Sequence, residues 1–219
     1  GLLAGVGGVV FTRVLYAIED ACDWIWRGPE WLRPGVGGLV LGLLLLALPQ
    51  MYGVGYPVLQ KGIDGDYALG MLLVLLVGKV LATSLTIGIG GSGGVFAPSL
   101  FCGAMLGESF GLLGHQIAPG SVGNAGAYAL IGMAAFFAGS ARAPITAVII
   151  LFELTGEYTI ILPLMLAVVL ATAVSRKLSH ETIYTLKLAR RGISLVAPGT
   201  PRAVLRGSKV GAVMSALPP

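Results

Sequence analysis

The chain of 219 residues is 56% hydrophobic and only 11% charged, with a mean hydropathy of +0.89. A soluble globular domain carries roughly 25% charged residues, so the composition excludes one and reads as an integral membrane protein. The net charge of +4 is gathered after the last long apolar run, at Arg176, Lys177, Lys187, Arg190, Arg191, Arg202, Arg206 and Lys209, with Glu181 alone opposing it; the positive-inside rule puts this end in the cytoplasm, and no nucleic-acid partner is expected.

In chain order, residues 1–26 form an apolar helix that turns polar at its end, with Trp24, Trp26 and Trp31 suited to a membrane–water boundary. Residues 33–49 are a short helix with Gly38 and Gly42 on one face, and 54–70 a broken connection with a short helix near Val58. Residues 68–88 are long enough to span and contain Lys79. A helix over 97–117 begins at Pro98 and carries Gly103, Gly107 and Gly111 as a smooth stripe for close helix contact. The next apolar run is cut by GSARAP at 139–144, because Pro144 lacks an N–H donor and pushes Ala143 out of the helical region. Each piece has about 13 to 15 residues where a span needs roughly 20, so both read as half-spans. Residues 159–177 form another helix with Pro163 near its start, and 179–192 a short amphipathic one, capped by Thr182 and ended by Gly192. The tail from 193 onward is too polar to span and reads as a linker into a soluble module.

The 34 glycines sit inside apolar runs, where small residues let membrane helices approach. Cys22 and Cys102 have no metal or disulfide spacing, and His115 and His180 lie far apart, so no metal or cofactor is expected. The opening GLLAGVGGVVF lacks both an initiator Met and a signal-peptide layout, and the chain is read as an internal or processed piece.

The stretch GIGGSGGVFAP, Gly88 to Pro98, satisfies three motifs at once. Gly88, Gly90 and Gly93 spell the dinucleotide fingerprint, with Glu108 twenty residues on, but a membrane-type run precedes them where the fingerprint needs a strand. Gly90, Ser92 and Gly94 spell the hydrolase elbow, with Glu153 and His180 following in order, but the elbow needs a strand–turn–helix. The third pattern, Gly94, Phe96 and Pro98, needs only a loop entering a helix. Gly93 and Gly94 permit a tight path, and Pro98 fits the first helical turn. The N–H groups of Val95, Phe96 and Ala97 then lack partners in their own helix and carry partial positive charge. A small anion is their natural partner. With no Lys or Arg in the loop, binding should be modest and release fast, as conduction requires.

At GGVFAP the sequence resembles the CLC chloride channel and transporter family, and RAPITAVIILFELTGEYTIILPLM at 142–165, the final IYTLKLARRG and the helix order match in sequence. The resemblance covers nearly all of 1–192. It implies an all-α, polytopic membrane fold of short, broken and tilted helices, corresponding to the second of two inverted repeats. It implies chloride transport by a voltage-gated channel or a proton/chloride antiporter, without enzymatic chemistry. Gly94, Val95, Phe96 and Ala97 would bind the anion through the backbone, and Tyr184 through its hydroxyl. Ile161 and Leu162 would belong to a homodimer interface. The first repeat, with its gating glutamate, would come from the missing N-terminal half of the subunit. The region from 193 to 219 would lead into a CBS domain, whose missing part would bind an adenine nucleotide. The alternative is a transport-inactive regulatory or scaffolding membrane domain.

Lys79, Glu108, Arg142 and Glu153 are costly at membrane depth. Arg142 and Glu153, near the ends of the 143–155 half-helix, are expected to satisfy backbone or surface groups. Lys79 is expected to raise the potential along an anion path.

Overall fold

A backbone in lipid must satisfy its own hydrogen bonds, so long apolar runs resolve into helices. The computed structural model describes residues 1–119 and 122–187, and among them all regular structure is helical. The order is α1 (Leu2–Ile25), α2 (Arg33–Ala47), α3 (Tyr56–Ile63), α4 (Leu69–Gly88), α5 (Phe96–Ile117), α6 (Ala125–Ala141), α7 (Pro144–Thr155) and α8 (Ile161–Leu178), with 3-10 turns at Glu30–Leu32 and Pro49–Met51. Two compact units are present, Gly1–Ile183 and Tyr184–Pro219, and all eight helices belong to the first.

Among the described residues, five helices are long and apolar enough to cross a membrane: α1, α2 with its leading turn, α4, α5 and α8. The interrupted run gives α6 and α7, of 17 and 12 residues, both shorter than a full span. The cut falls where Pro144 places it, and the residue that absorbs the bend is Arg142, left-handed at φ 55 and ψ 38. That conformation costs a non-glycine residue about 1–2 kcal/mol. The Arg142 guanidinium offsets it by donating to the carbonyls of Ser175 (3.2 Å), Ser179, His180 (2.8 Å) and Glu181 (3.3 Å), and to Ser175 Oγ (3.4 Å). These acceptors lie in and just beyond the last turn of α8, where a helix leaves its carbonyls without partners and favours a cation. The expectation that Arg142 serves backbone groups is met. Glu153 lies exposed in the last turn of α7.

α6 occupies the centre, with Ala129, Ala134 and Ala138 fully buried. It lies antiparallel to α5, and the glycine stripe makes the contact. A Cβ on Gly103 would stand 2.5 Å from the Gly132 carbonyl oxygen, one on Gly107 would overlap the Tyr128 carbonyl, and one on Gly111 would come within 3.0 Å of Ala125 Cα. α1 runs parallel to α8, with Gly1 beside Ala167 and Gly5 beside Ala171. Tyr16 of α1 donates to the Ile183 carbonyl at 2.7 Å, and the Ile183 N–H donates to Ser140 at 3.1 Å.

Two details refine the sequence reading. On α2 the buried glycine is Gly37, against Ile89, while Gly38 and Gly42 meet nothing within 4 Å. The helix expected over 179–192 starts later than its expected first residue: a turn occupies 183–185, and helical backbone begins at Leu186. Gly192 and the tail from 193 lie outside the described residues.

Candidate functional site

The loop between α4 and α5 begins as a helix stop. Gly90 takes φ +86, its N–H donates to Ile87 at 3.0 Å, and the Gly91 N–H reaches back to Thr86 at 2.9 Å. This is the paired arrangement of a Schellman ending. The tight path expected of Gly93 and Gly94 is thus taken by Gly90; neither of the other two has positive φ. They matter instead by being small. Gly94 meets nothing within 4 Å, and Gly93 makes only ordinary contacts with Thr86 and Ile87.

α5 then starts at Phe96, with Val95 as its cap residue and no side chain capping the turn. The Ser99 N–H closes the first helical bond onto Val95 at 3.1 Å. Pro98 has no N–H to give. The N–H groups of Phe96 and Ala97 precede any possible bond within their helix. The Phe96 ring does not face the loop: it packs edge-on against Phe137 of α6, centroids 5.0 Å apart, which ties the start of α5 to the central helix.

Beside the loop lies an open cavity of about 350 Å³. Gly93, Gly94 and Pro98 form one side, Lys79, Ala82, Thr83 and Thr86 of α4 another, and Leu41, Leu45, Met51, Tyr52 and Gly53 the rest. Val95, Phe96 and Ala97 are not among the lining residues, although they sit in sequence between Gly94 and Pro98, which are. The structure therefore joins Gly94 to Lys79, a residue expected to matter but not assigned to the same site. Lys79 is only 4% exposed. Its Nζ donates to the Gly53 carbonyl at 2.8 Å and to Met51 at 3.4 Å, and stands 5.0 Å from the Phe101 ring centroid. Carbonyl dipoles and a π-face hold an ammonium without neutralising it. Among the described residues no carboxylate pairs with it, and Arg33 and Asp23 form an ion pair with each other. The cavity therefore carries an uncompensated positive charge next to the positive end of the α5 dipole.

Tyr52, Gly53, Thr83 and Thr86 were not singled out from the sequence. Helical spacing could have found two of them, since positions four and seven beyond Lys79 share its face. The turn at 52–53 carried no such signal. Tyr184 belongs to the second unit, so the site described here is built from the first unit alone. On α8, Leu162 is 77% exposed and Ile161 partly buried, and Met165, Leu166 and Val169 continue the apolar surface. The loop follows a helix and not a strand, and Ser92, Glu153 and His180 are exposed on separate elements. The dinucleotide and hydrolase motifs therefore lack the context their chemistry needs.

Comparison with known proteins gives a consistent result. The family model described as voltage gated chloride channel matches residues 1–176. The H(+)/Cl(-) exchange transporter ClcA of Vibrio campbellii is 36% identical over 193 residues, covering 87% of this chain and 41% of its own length. The crystal structure of a slow cyanobacterial Cl-/H+ antiporter superposes with a TM-score of 0.73 at 28% identity, over 87% of this chain and 45% of that one. A eukaryotic CLC transporter gives a TM-score of 0.70 at 28% identity, over 87% and 34%. The chain thus spans about two fifths of the length of the curated relative it matches.

Proposed function

Because the chain belongs to the voltage gated chloride channel family, we propose that the α4–α5 loop and the Lys79 cavity form part of a chloride pathway across the membrane. One observation carries this reading: a buried ammonium without a carboxylate partner shares a cavity with the glycine loop that leads into the uncapped start of α5. The ammonium raises the local concentration of anions. The loop N–H groups replace part of the hydration shell without a fixed charge in the loop itself, which keeps the ion releasable. Gly94, Val95, Phe96 and Ala97 supply backbone contacts, and Tyr184 a hydroxyl that donates without carrying charge at neutral pH.

This chain acts as the second half of a subunit, beside a first repeat that completes the pore. The relatives named as proton–chloride exchangers favour coupled exchange over passive, voltage-gated conduction. The exposed apolar face of α8 at Ile161 and Leu162 suits a homodimer contact within the bilayer. The basic residues at and beyond the end of α8 favour a cytoplasmic C-terminus, leading to a CBS domain that binds an adenine nucleotide.

The test uses the full-length parent protein in liposomes, recording chloride efflux and internal pH together. Chloride and protons moving in opposite directions at a fixed ratio support exchange. Chloride moving without protons supports a channel. Absence of chloride movement overturns the transport reading in favour of a scaffolding membrane domain.

A further inference from the structure

Glu108 lies on α5, twelve residues beyond Phe96, and is 0% exposed. Both carboxyl oxygens are buried, and neither has a hydrogen-bond partner among the described residues. The group presses on Gly62 of α3, where a Cβ would stand 2.8 Å from Oε2, and Met105 of its own helix approaches the same glycine. An ionised carboxylate with no donor and no counter-charge is not sustained in a low-dielectric interior. A neutral carboxylic acid in the same place costs far less.

Among the described residues no cation faces the carboxyl; Lys61, next to Gly62 on α3, is exposed. Asp66, in the connection between α3 and α4, is the charged group that bears on Glu108, and Tyr67 beside it is likewise an acid. α4 contributes Lys79, but its ammonium is over Phe101, two helical turns back along α5, and engaged with Met51 and Gly53. α6 faces this part of α5 with Tyr128, beside Gly107 and Gly111, and α1 faces Leu106 with Gly7. The end of α3, against which the carboxyl lies, is the negative pole of that helix.

We propose that Glu108 is a proton-binding site within the membrane domain, separate from the anion loop, whose loss of a proton drives α3 away from α5. The step is the transfer of one proton from the carboxyl to water. The charge left behind has no partner, and hydrating it requires Gly62 to move. The site takes a proton and no metal: it has one carboxylate, and no cluster of metal-ligating side chains is present among the described residues.

The test is carried out on the full-length parent protein and does not depend on whether it transports anions. Infrared spectra of wild type and E108Q are compared at neutral pH and after alkalinisation, with hydrogen exchange followed across residues 56–63. A protonated-carboxyl band in the wild type that is missing in E108Q and vanishes on alkalinisation is expected. Exchange in α3 should then rise several-fold in wild type relative to E108Q at the same pH. The absence of a band attributable to Glu108 at neutral pH overturns the proton site. A band that vanishes while α3 exchanges alike in both proteins overturns the coupling to α3. Should E108Q fold poorly, the wild-type titration and E108L, also uncharged, carry the same comparison.

Discussion

The glycines of the α4–α5 loop and those of the α5–α6 interface are the same residue within twenty positions, and they do opposite things. In the loop, Gly94 leaves space that nothing fills, and that space opens onto the Lys79 cavity. In the interface, Gly103, Gly107 and Gly111 remove space, so that two backbones meet where side chains would otherwise stand. Gly90 is a third kind, required for its positive φ and not for its volume. What a glycine contributes is thus set by what its missing Cβ would have met, and a count of glycines conveys none of this.

Substitutions separate these roles, and the largest effect belongs to the interface. Gly107→Ala places a methyl on the Tyr128 carbonyl, a rigid backbone atom. It should destabilise the protein by about 3 kcal/mol or more, read as a lowered unfolding midpoint in detergent. A stability equal to wild type would show that α5 and α6 do not meet as described. Lys79→Met tests the cavity: chloride flux should fall about tenfold through lost local anion concentration, with the protein still folded. Flux unchanged across several salt concentrations removes Lys79 from the pathway. Gly90→Ala forces a side chain into the left-handed region and should cost about 1–2 kcal/mol, measured by the same unfolding assay. The smallest effect is expected of Gly94→Ala, whose new Cβ meets nothing within 4 Å; stability should stay within about 0.5 kcal/mol of wild type. Any change it makes would be seen in anion selectivity, and a large loss of stability would mean that Gly94 is packed, not open.

Much of the helix layout was legible in the sequence because it rests on local rules. Pro144 must break its helix, the spacing of Gly103, Gly107 and Gly111 must place them on one face, and apolar runs must fold as helices in lipid. What stayed hidden depends on partners distant in the chain. No local rule says that Gly37, and not Gly38 or Gly42, meets Ile89. The choice of Gly90 over Gly93 or Gly94 for the left-handed turn follows from where α4 stops, and that boundary shifts by a residue or two in any sequence reading. Lys79 stands out in the sequence as a charge at membrane depth, but its neighbours at Met51 and Gly53 come from a turn 26 to 28 residues away. The Glu108 environment required knowing that α3 returns over α5.

The single guanidinium of Arg142 serves the end of α8 from the end of α6. The chain therefore leaves one point after α6, travels out along α7, and comes back along α8 to that same point. Residues 144–178 form an excursion with pinned ends, like a hairpin closed by a clasp. Length added at the far tip, around 156–160, should lengthen the excursion without shifting either pinned end. Length added beside Arg142 has no such outlet, because it would pull the clasp open. Natural variation in loop length among relatives is accordingly expected at the tip, while the spacing around the clasp stays fixed.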